Sequence, residues 1–296
     1  MVSAVTVNLA IPRPFDLTAT LESGQAHRWR REGHWYYGVV YGNMLKVRQN
    51  SVGIEVFSAP AEPEELISLL TSYFRLDDNL DVIYQGINRD PLIAGMIDRY
   101  AGLRLLRQEP WECLVAFICS ATSNIPRIGA NMEAIADTYG QRITLQCHSR
   151  SSFPSADRLA EAGEQALRDI RLGFRAKYLA YAAREVAEGN LDLEKLRSLS
   201  YWDAKTCLMD IPGIGAKIAD CILAFSLDKL EAFPIDRWVN RAMQEWYLNG
   251  RKMSYEEVVR WAQCYFGPYA GYAQQYLFHG RRLDRRGRGT ETRTEK

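Results

Sequence analysis

The chain has 296 residues, of which 47% are hydrophobic and 25% charged, and its formal net charge is +1. These values are typical of a globular protein with roughly one large core or two to three small ones, and they argue against polyanion binding by overall charge alone. No run reaches the roughly 18 uncharged apolar residues of a membrane helix, and the N-terminus lacks the basic and apolar regions of a signal peptide. We therefore expect no membrane contact and a cytoplasmic location.

The first part of the chain is predicted to form strands and the rest to form helices. Residues 1–58 mix aromatic and β-branched side chains with Gly and Asn turns at short intervals, the pattern of an antiparallel meander. From Pro63 apolar residues recur at helical spacing, and from Pro110 onward short helical stripes alternate with Gly, Pro and Asn. The sequence therefore predicts an α+β fold, with an N-terminal mixed domain built on an antiparallel β-sheet (1–106) and a mostly α-helical second domain (107–280).

Two segments are predicted to lack regular structure. The interior stretch 141–156 is the most loop-like part of the helical region. The C-terminal segment 281–296 carries six Arg and one Lys against three acids, a net charge of +4 that leaves −3 for residues 1–280. Such a segment can contact phosphates, although its composition also fits a solvated end with no further role. We predict a basic, disordered tail.

The six cysteines do not form a pattern that binds a metal ion or a cluster. None belongs to a CxxC pair, and most lie in apolar, helix-like segments. Such thiols are typical of buried free cysteines in a reducing compartment. Only Cys264 lies near the C-terminal end, which excludes a four-cysteine iron–sulfur loop there. We expect no metal ion and no cofactor.

The most informative stretch is a Pro-Gly-Ile-Gly turn between two predicted short helices, the first ending near Asp210 and the second beginning at Ala216. Gly213 and Gly215 allow the backbone to approach a partner closely. The free N–H groups at the start of the second helix form an anion site, which can hold a phosphate without reading sequence. A hairpin that only packs in a core remains the alternative for this turn on its own.

Two charged residues accompany the turn. Lys217 lies in the first turn of the second helix, where the helix dipole disfavours an ammonium and so favours the free amine that can attack carbon. Asp236 follows 19 positions later and directly precedes a predicted helix, so it can cap that helix with an ionised carboxylate. A solvated lysine is the alternative for Lys217. Together the anion site, the amine and the carboxylate indicate chemistry on a nucleic-acid backbone or base.

The block from Leu208 to Trp238 resembles the helix–hairpin–helix, Gly/Pro…Asp signature of base-excision DNA glycosylases, and its lysine marks their bifunctional branch. Further segments narrow the resemblance to the 8-oxoguanine DNA glycosylase family. These segments are SGQAHRW (23–29), GLRLLRQEPWECLVAFICS (102–120), LGFRAKYL (172–179) and GYAQQYLF (271–278). The resemblance covers roughly residues 14–280 and implies the N-terminal domain and the helix–hairpin–helix core of that family.

The resemblance implies an enzyme of base excision repair that acts on damaged double-stranded DNA as a monomer, without a cofactor. Lys217 would attack the sugar C1′ of a flipped nucleotide, expel 8-oxoguanine and form a Schiff base that permits β-elimination and strand cleavage. Asp236 would stabilise the cationic sugar. The location would be the nucleoid in a prokaryote, with a nuclear location left open.

The resemblance also implies which residues bind the base and the DNA. The damaged base would stack between Phe278 and Cys221, Gln274 would bond its Watson–Crick edge, and the carbonyl of Gly24 would accept the N7 hydrogen. Without the resemblance, core packing is the better explanation of Phe278 and Gln274, because they lie in an apolar, helix-like run. The residues implied to contact DNA are Phe174 as a wedge, Arg127, Arg175 and Thr122 near the orphan cytosine, and Gly213 and Gly215 at the hairpin.

The chain departs from the family pattern at two places. Thr122 stands where the family has an asparagine that contacts the orphan cytosine, which puts opposite-base selectivity in doubt. After Asp236 the family's histidine is absent, and Arg237 and Trp238 follow instead. An alkylated-base glycosylase of the same fold is the alternative enzyme, although such enzymes need no lysine at the hairpin. A non-catalytic helix–hairpin–helix DNA-binding module is the alternative without chemistry.

Overall fold

The computed structural model describes the backbone of residues 5–291 and the side chains of residues 5–283. Its first part is a five-stranded antiparallel sheet in the spatial order β1-β5-β4-β3-β2. The strands are β1 (Val5–Ala10), β2 (Arg30–Glu32), β3 (Trp35–Val40), β4 (Asn43–Gln49) and β5 (Gly53–Ala59). The predicted N-terminal antiparallel sheet is therefore confirmed.

Helices make up most of the remaining structure, as the sequence predicted. In chain order they are α1 (Leu17–Glu22), α2 (Pro63–Tyr73), α3 (Leu80–Ile87), α4 (Pro91–Arg99), α5 (Pro110–Cys119), α6 (Ile125–Tyr139), α7 (Ala156–Asp169), α8 (Arg175–Ala187), α9 (Leu193–Ser198), α10 (Tyr201–Met209), α11 (Ala216–Ser226), α12 (Arg237–Trp246), α13 (Tyr255–Phe266) and α14 (Ala270–Glu291). Within the described residues, no helix has both the length and the apolar character that crossing a bilayer requires.

The sheet has its own small core. Val47 and Val56 lie opposite each other in the pairing of β4 with β5, and neither side chain is exposed. Alternate residues of a strand point to one face, and α2 covers that face with Leu66 and Leu70. Some of the β-branched residues that predicted the strands therefore also form the core between the sheet and α2.

Helix α5 is the centre of the larger core. Every residue of α5 except Glu112 is buried, which is typical of a helix that has neighbours on all sides. It packs against α6, α8 and α11. Because α5 is held so firmly, its last turn carries Phe117 and the adjoining Ser120 to a fixed position beside α11.

A buried glutamine connects the sheet part to the helical part. The Gln25 amide donates from Nε2 to the carbonyl of Arg104 at 2.8 Å and accepts the N–H of Leu106 at 2.7 Å. The side chain of Gln108 in turn donates to the Gln25 carbonyl at 2.9 Å. These bonds fix the loop that contains Gly24 against the segment leading into α5.

Helix α14 is also fastened to the N-terminal part of the chain. Gln275 donates from Nε2 to the Ser23 carbonyl at 3.2 Å, and the Tyr276 hydroxyl donates to the Leu103 carbonyl at 3.1 Å. Gln275 and Tyr276 are at most 1% exposed, so these bonds are shielded from water. The helix therefore lies between both parts of the fold.

Two predictions of irregular structure are corrected. The stretch 141–156 contains a hairpin of β6 (Arg142–Leu145) and β7 (His148–Ser151), joined at Gln146, whose φ of 56° supplies the left-handed conformation of a tight turn. The basic segment 281–296 continues α14 as far as Glu291, because the helix simply extends from its buried first half. The remaining residues of that segment lie outside the described residues.

Candidate active site

The predicted hairpin forms between α10 and α11, and its two glycines differ in their surroundings. Gly213 has a φ of 90°, and a Cβ there would lie 2.4 Å from Cγ of Tyr178. Gly215 caps α11 with an ordinary φ of −93°, and a Cβ there would meet no atom of the described residues within 4 Å. One side of the turn is therefore packed against the protein, while the start of α11 at Gly215 is exposed, as an anion site requires.

This difference predicts opposite results for two alanine variants. Gly213→Ala must adopt a strained φ and displace the Tyr178 ring, so we expect a loss of about 2 kcal/mol or more in the free energy of unfolding. Gly215→Ala adopts its φ without strain, so we expect stability within about 0.5 kcal/mol and a weaker affinity for DNA, because the added methyl blocks the approach of a phosphate. Thermal unfolding measures the stability of each variant, and DNA titration measures its affinity. Equal affinity of Gly215→Ala and the unchanged protein would contradict the anion site.

Lys217 lies on the first turn of α11 and points to the end of α5. Its Nζ donates to the Ser120 hydroxyl at 3.2 Å and lies 5.4 Å from the centre of the Phe117 ring. Cys221, one turn further along α11, is 4% exposed, and burial raises the pKa of its thiol to about 12 against the opposing charge of Lys217. The lysine is therefore half-buried and held in place, while the cysteine is an apolar wall and not a nucleophile.

Asp236 forms the N-cap of α12, as predicted. Its Oδ1 accepts the N–H groups of Trp238 at 2.9 Å and Val239 at 2.8 Å. Burial raises the pKa of this carboxyl, although the Val239 N–H and the charge of Lys217 act in the opposite direction. The structure thus brings an amine and a rigid carboxylate close enough to interact electrostatically, beside an open helix N-terminus.

A second group of side chains lies where α14 meets the Gly24 loop. Gly24 has a φ of 83°, and a Cβ there would lie 2.9 Å from Cδ1 of Ile125 and 3.3 Å from Cε1 of Phe278. One turn before Phe278 on α14, Gln274 is 4% exposed, and no described group donates to its Oε1. The structure therefore brings Gly24 and Phe278 together, and a buried amide oxygen beside them is left available for a ligand.

Family models match both parts of the chain. Residues 8–114 match the N-terminal domain of 8-oxoguanine DNA glycosylase, and residues 115–265 match the HhH-GPD superfamily of base excision DNA repair proteins. A probable N-glycosylase/DNA lyase of Methanothermobacter thermautotrophicus is 30% identical over 93% of this chain and 97% of its own length. The chain belongs to the 8-oxoguanine DNA glycosylase family. The family membership that the sequence motifs indicated is therefore confirmed.

Other members of the family are similar to this chain over most of their length. The N-glycosylase/DNA lyase OGG1 of Arabidopsis thaliana is 30% identical over 88% of this chain and 76% of its own. The fold is similar to that of the Clostridium acetobutylicum 8-oxoguanine glycosylase/lyase, solved with double-stranded DNA that contains cytosine opposite 8-oxoguanine. That structure has a TM-score of 0.86 and 32% sequence identity, covering 92% of this chain and 93% of the other.

The side chains that the family resemblance implied for DNA contact differ in their exposure. Phe174 is 46% exposed, and its ring meets Tyr178, the residue against which Gly213 packs, edge-on at 6.5 Å. Arg127 is exposed in the first turn of α6. Arg175 differs, because it is 4% exposed and donates from Nε to the Ala121 carbonyl at 2.9 Å. Its side chain is committed to the protein in this structure.

Thr122 lies directly beside Arg175. The guanidinium of Arg175 donates from Nη2 to the Thr122 carbonyl at 3.0 Å, and Thr122 itself is exposed with a φ of 50°. A β-branched residue is strained in the left-handed region, whereas asparagine tolerates it. The backbone at this position therefore suits the asparagine of the family better than the threonine that this chain carries.

Sequence reasoning missed two neighbours of Lys217. Ser120 holds the amine, and His27 is 8% exposed, with neither ring nitrogen hydrogen-bonded within the described residues. Burial, and then the charge of Lys217, lowers the pKa of His27 to about 4. Both residues belong to segments that carried the family resemblance, but nothing in one sequence indicates that these segments meet at α11.

Proposed function

We propose that this chain excises 8-oxoguanine from duplex DNA and cleaves the strand at the resulting site, as a step of base excision repair. The observation that best supports this function is the position of the Lys217 amine. Ser120 holds this amine at an open helix N-terminus, and the amine interacts electrostatically with the capping carboxylate of Asp236. The names of the relatives, N-glycosylase/DNA lyase, support this activity. The known structure of a family member with double-stranded DNA supports the substrate.

In this mechanism the Lys217 nitrogen forms a bond to C1′ of the sugar while the bond from C1′ to the base breaks and the base leaves with a proton. Asp236 stabilises the positive charge that develops on the sugar, because its carboxylate is fixed by two backbone N–H groups. Ring opening of the sugar gives a Schiff base on Lys217. Loss of a C2′ proton then expels the 3′ phosphate by β-elimination, and water releases the lysine.

The base must leave the duplex before this chemistry, at a cost of a few kcal/mol. Gly213 and Gly215 hold the backbone, and the exposed Phe174 fills the vacated stack and offsets part of that cost. The flipped base then lies against Phe278 and Cys221, with Gln274 on its Watson–Crick edge and the Gly24 carbonyl on its N7–H. The Oε1 of Gln274, which has no hydrogen-bond partner among the described residues, supports the polar part of this arrangement.

Selectivity for the opposite base is weaker in this chain than an asparagine at position 122 would give. Arg127 is exposed and available to the orphan base, whereas the side chain of Arg175 is bonded to loop carbonyls. Arg175 therefore acts first by shaping the Thr122 loop.

The partner of the chain is damaged double-stranded DNA. The chain acts as a monomer, and its location is that of the genomic DNA: the nucleoid in a prokaryote or the nucleus in a eukaryote.

Substituting asparagine at position 122 tests the role of this loop. We expect Thr122→Asn to raise the free energy of unfolding by about 1 kcal/mol, because asparagine accepts the left-handed conformation more readily. We also expect a larger ratio between excision opposite cytosine and excision opposite the other bases. Thr138→Asn, on the exposed face of α6, is the control and should change neither quantity. An unchanged excision ratio for Thr122→Asn would remove this loop from opposite-base reading.

Borohydride trapping tests the proposed function as a whole. Duplexes that carry 8-oxoguanine opposite each of the four bases are incubated with the protein, and borohydride reduces any Schiff base to a stable covalent complex. A complex with 8-oxoguanine substrates and none with undamaged DNA is expected. Release of 3-methyladenine without a covalent complex would favour the alkylated-base glycosylase. If the protein bound DNA but gave neither a covalent complex nor released 3-methyladenine, the non-catalytic DNA-binding module would be the remaining interpretation.

A further inference from the structure

A buried carboxylate lies directly behind the proposed reaction centre. Asp220, one turn after Lys217 on α11, has no exposed surface. Its Oδ1 accepts the Tyr201 hydroxyl at 2.6 Å, while its Oδ2 accepts Lys205 Nζ at 3.1 Å and the Tyr255 hydroxyl at 2.7 Å. A buried charge that has several donors and an ionic partner is rigidly oriented, since losing any one partner is costly.

One of these partners reaches across to the segment that carries Asp236. The hydroxyl oxygen of Tyr255 donates to Asp220 and also accepts the N–H of Ile235 at 3.2 Å. Ile235 is the residue directly before Asp236. The phenol therefore links the helix of Lys217 to the backbone that places the catalytic carboxylate, through two hydrogen bonds on one atom.

The phenol is itself anchored at a rigid point. Tyr255 is the first residue of α13, and that helix begins with a capping box in which Ser254 and Glu257 bond each other's backbone N–H groups. Lys205 on α10 forms an ion pair with Asp220. It also contacts Glu256, which follows Tyr255 on α13, at 3.2 Å. Helices α10, α11 and α13 thus meet at the Asp220 carboxylate.

We infer that Tyr255 is a positioning residue, which fixes the Asp236 loop relative to Lys217 through its hydrogen bonds to Asp220 and Ile235. This inference rests on the proposed roles of Lys217 and Asp236. The carboxylate must lie at the correct distance from the sugar cation, and its N-cap bonds fix it only relative to α12. The Tyr255 hydroxyl supplies a hydrogen-bonded link between α11 and the segment that leads into α12.

Two phenylalanine variants separate positioning from stability. Tyr255→Phe keeps the ring and removes the hydroxyl, so both the Asp220 and the Ile235 bonds are lost. Tyr201→Phe also removes a hydroxyl that donates to Asp220, but Tyr201 has no bond to Ile235 among the contacts of the described residues. Each variant keeps Lys205 as the ionic partner of Asp220, so both are expected to fold.

The measurement is single-turnover excision of 8-oxoguanine, with affinity for the same duplex measured separately and with unfolding temperatures as a check. We expect Tyr255→Phe to excise the base about tenfold more slowly with unchanged affinity, since small misplacements of catalytic groups cost rate more than binding. Tyr201→Phe should lose less than about threefold. Borohydride trapping on a preformed abasic site should persist in both variants, because Lys217 is intact.

The inference is overturned if Tyr255→Phe excises at the rate of the unchanged protein, or if both variants slow equally, since Asp220 would then act without the Ile235 bond. It is also overturned if affinity falls in parallel with rate. Failure of the proposed function is a different result, because the unchanged protein itself would then neither excise 8-oxoguanine nor form a trapped complex.

Discussion

Replacing Lys217 with glutamine is expected to abolish the borohydride-trapped complex and to lower 8-oxoguanine excision by about a thousandfold or more, since no other described amine is held at the site to replace the nucleophile. Glutamine keeps most of the side-chain length and can still meet the Ser120 hydroxyl. We therefore expect the fold and the affinity for damaged duplex to change little. Gel detection of the covalent complex and single-turnover excision provide the measurement.

An exposed lysine gives the matched control for this variant. Lys195→Gln on α9 removes the same charge from the surface and should leave trapping intact. If Lys217→Gln still formed a covalent complex, another amine would be the nucleophile and the assignment of Lys217 would be wrong. If trapping disappeared together with DNA affinity, the lysine would serve phosphate binding, as in the non-catalytic module.

Replacing Asp236 with asparagine should separate the capping role of this residue from its charge. Asparagine caps helices about as well as aspartate, so we expect the free energy of unfolding to change by less than about 1 kcal/mol. The variant loses the negative charge that we propose stabilises the developing sugar cation, so excision should fall by about a hundredfold or more. Asp236→Ala is the companion variant, which loses both the charge and the cap and should also unfold at a lower temperature.

The pH dependence of excision tests the same carboxylate. Burial raises the pKa of Asp236 above the ordinary value of 3.8, so the active carboxylate is lost on acidification at a higher pH than an exposed aspartate would show. The rate should therefore fall as pH falls through this raised pKa. Burial lowers the pKa of the neighbouring His27 to about 4, so this imidazole gains its charge only in acid. If the excision rate of Asp236→Asn still fell in the same way at low pH, the titration would belong to another group.

The local features of the site could be predicted from the sequence, because each depends on neighbours in the chain. The hairpin turn and the N-cap of Asp236 follow from the turn residues and from an aspartate before an amphipathic helix. The base-binding roles of Gly24 and Phe278 came only through the family resemblance. Their closeness in the structure is consistent with those roles, which remain predictions.

The contacts between distant segments could not be predicted. Ser120 meets Lys217 across 97 positions of the chain, and Tyr255 meets Asp220 across 35. Such pairs depend on how helices pack, and a lone serine or tyrosine carries no sign of its partner. The strain at Thr122 was hidden for the same reason, since a left-handed φ at a threonine contradicts local preference and persists only where the surrounding structure imposes it.

The fastening of α14 to the N-terminal part limits how the protein can be divided. Phe278 and Gln274 lie on this helix, whereas Gly24 belongs to the loop that Gln275 bonds through the Ser23 carbonyl. The proposed base pocket therefore has walls from both the N-terminal part and α14. We expect that neither half alone is a transferable module for lesion recognition. Exchanging N-terminal parts between family members should succeed only when the matching C-terminal helix is exchanged with them.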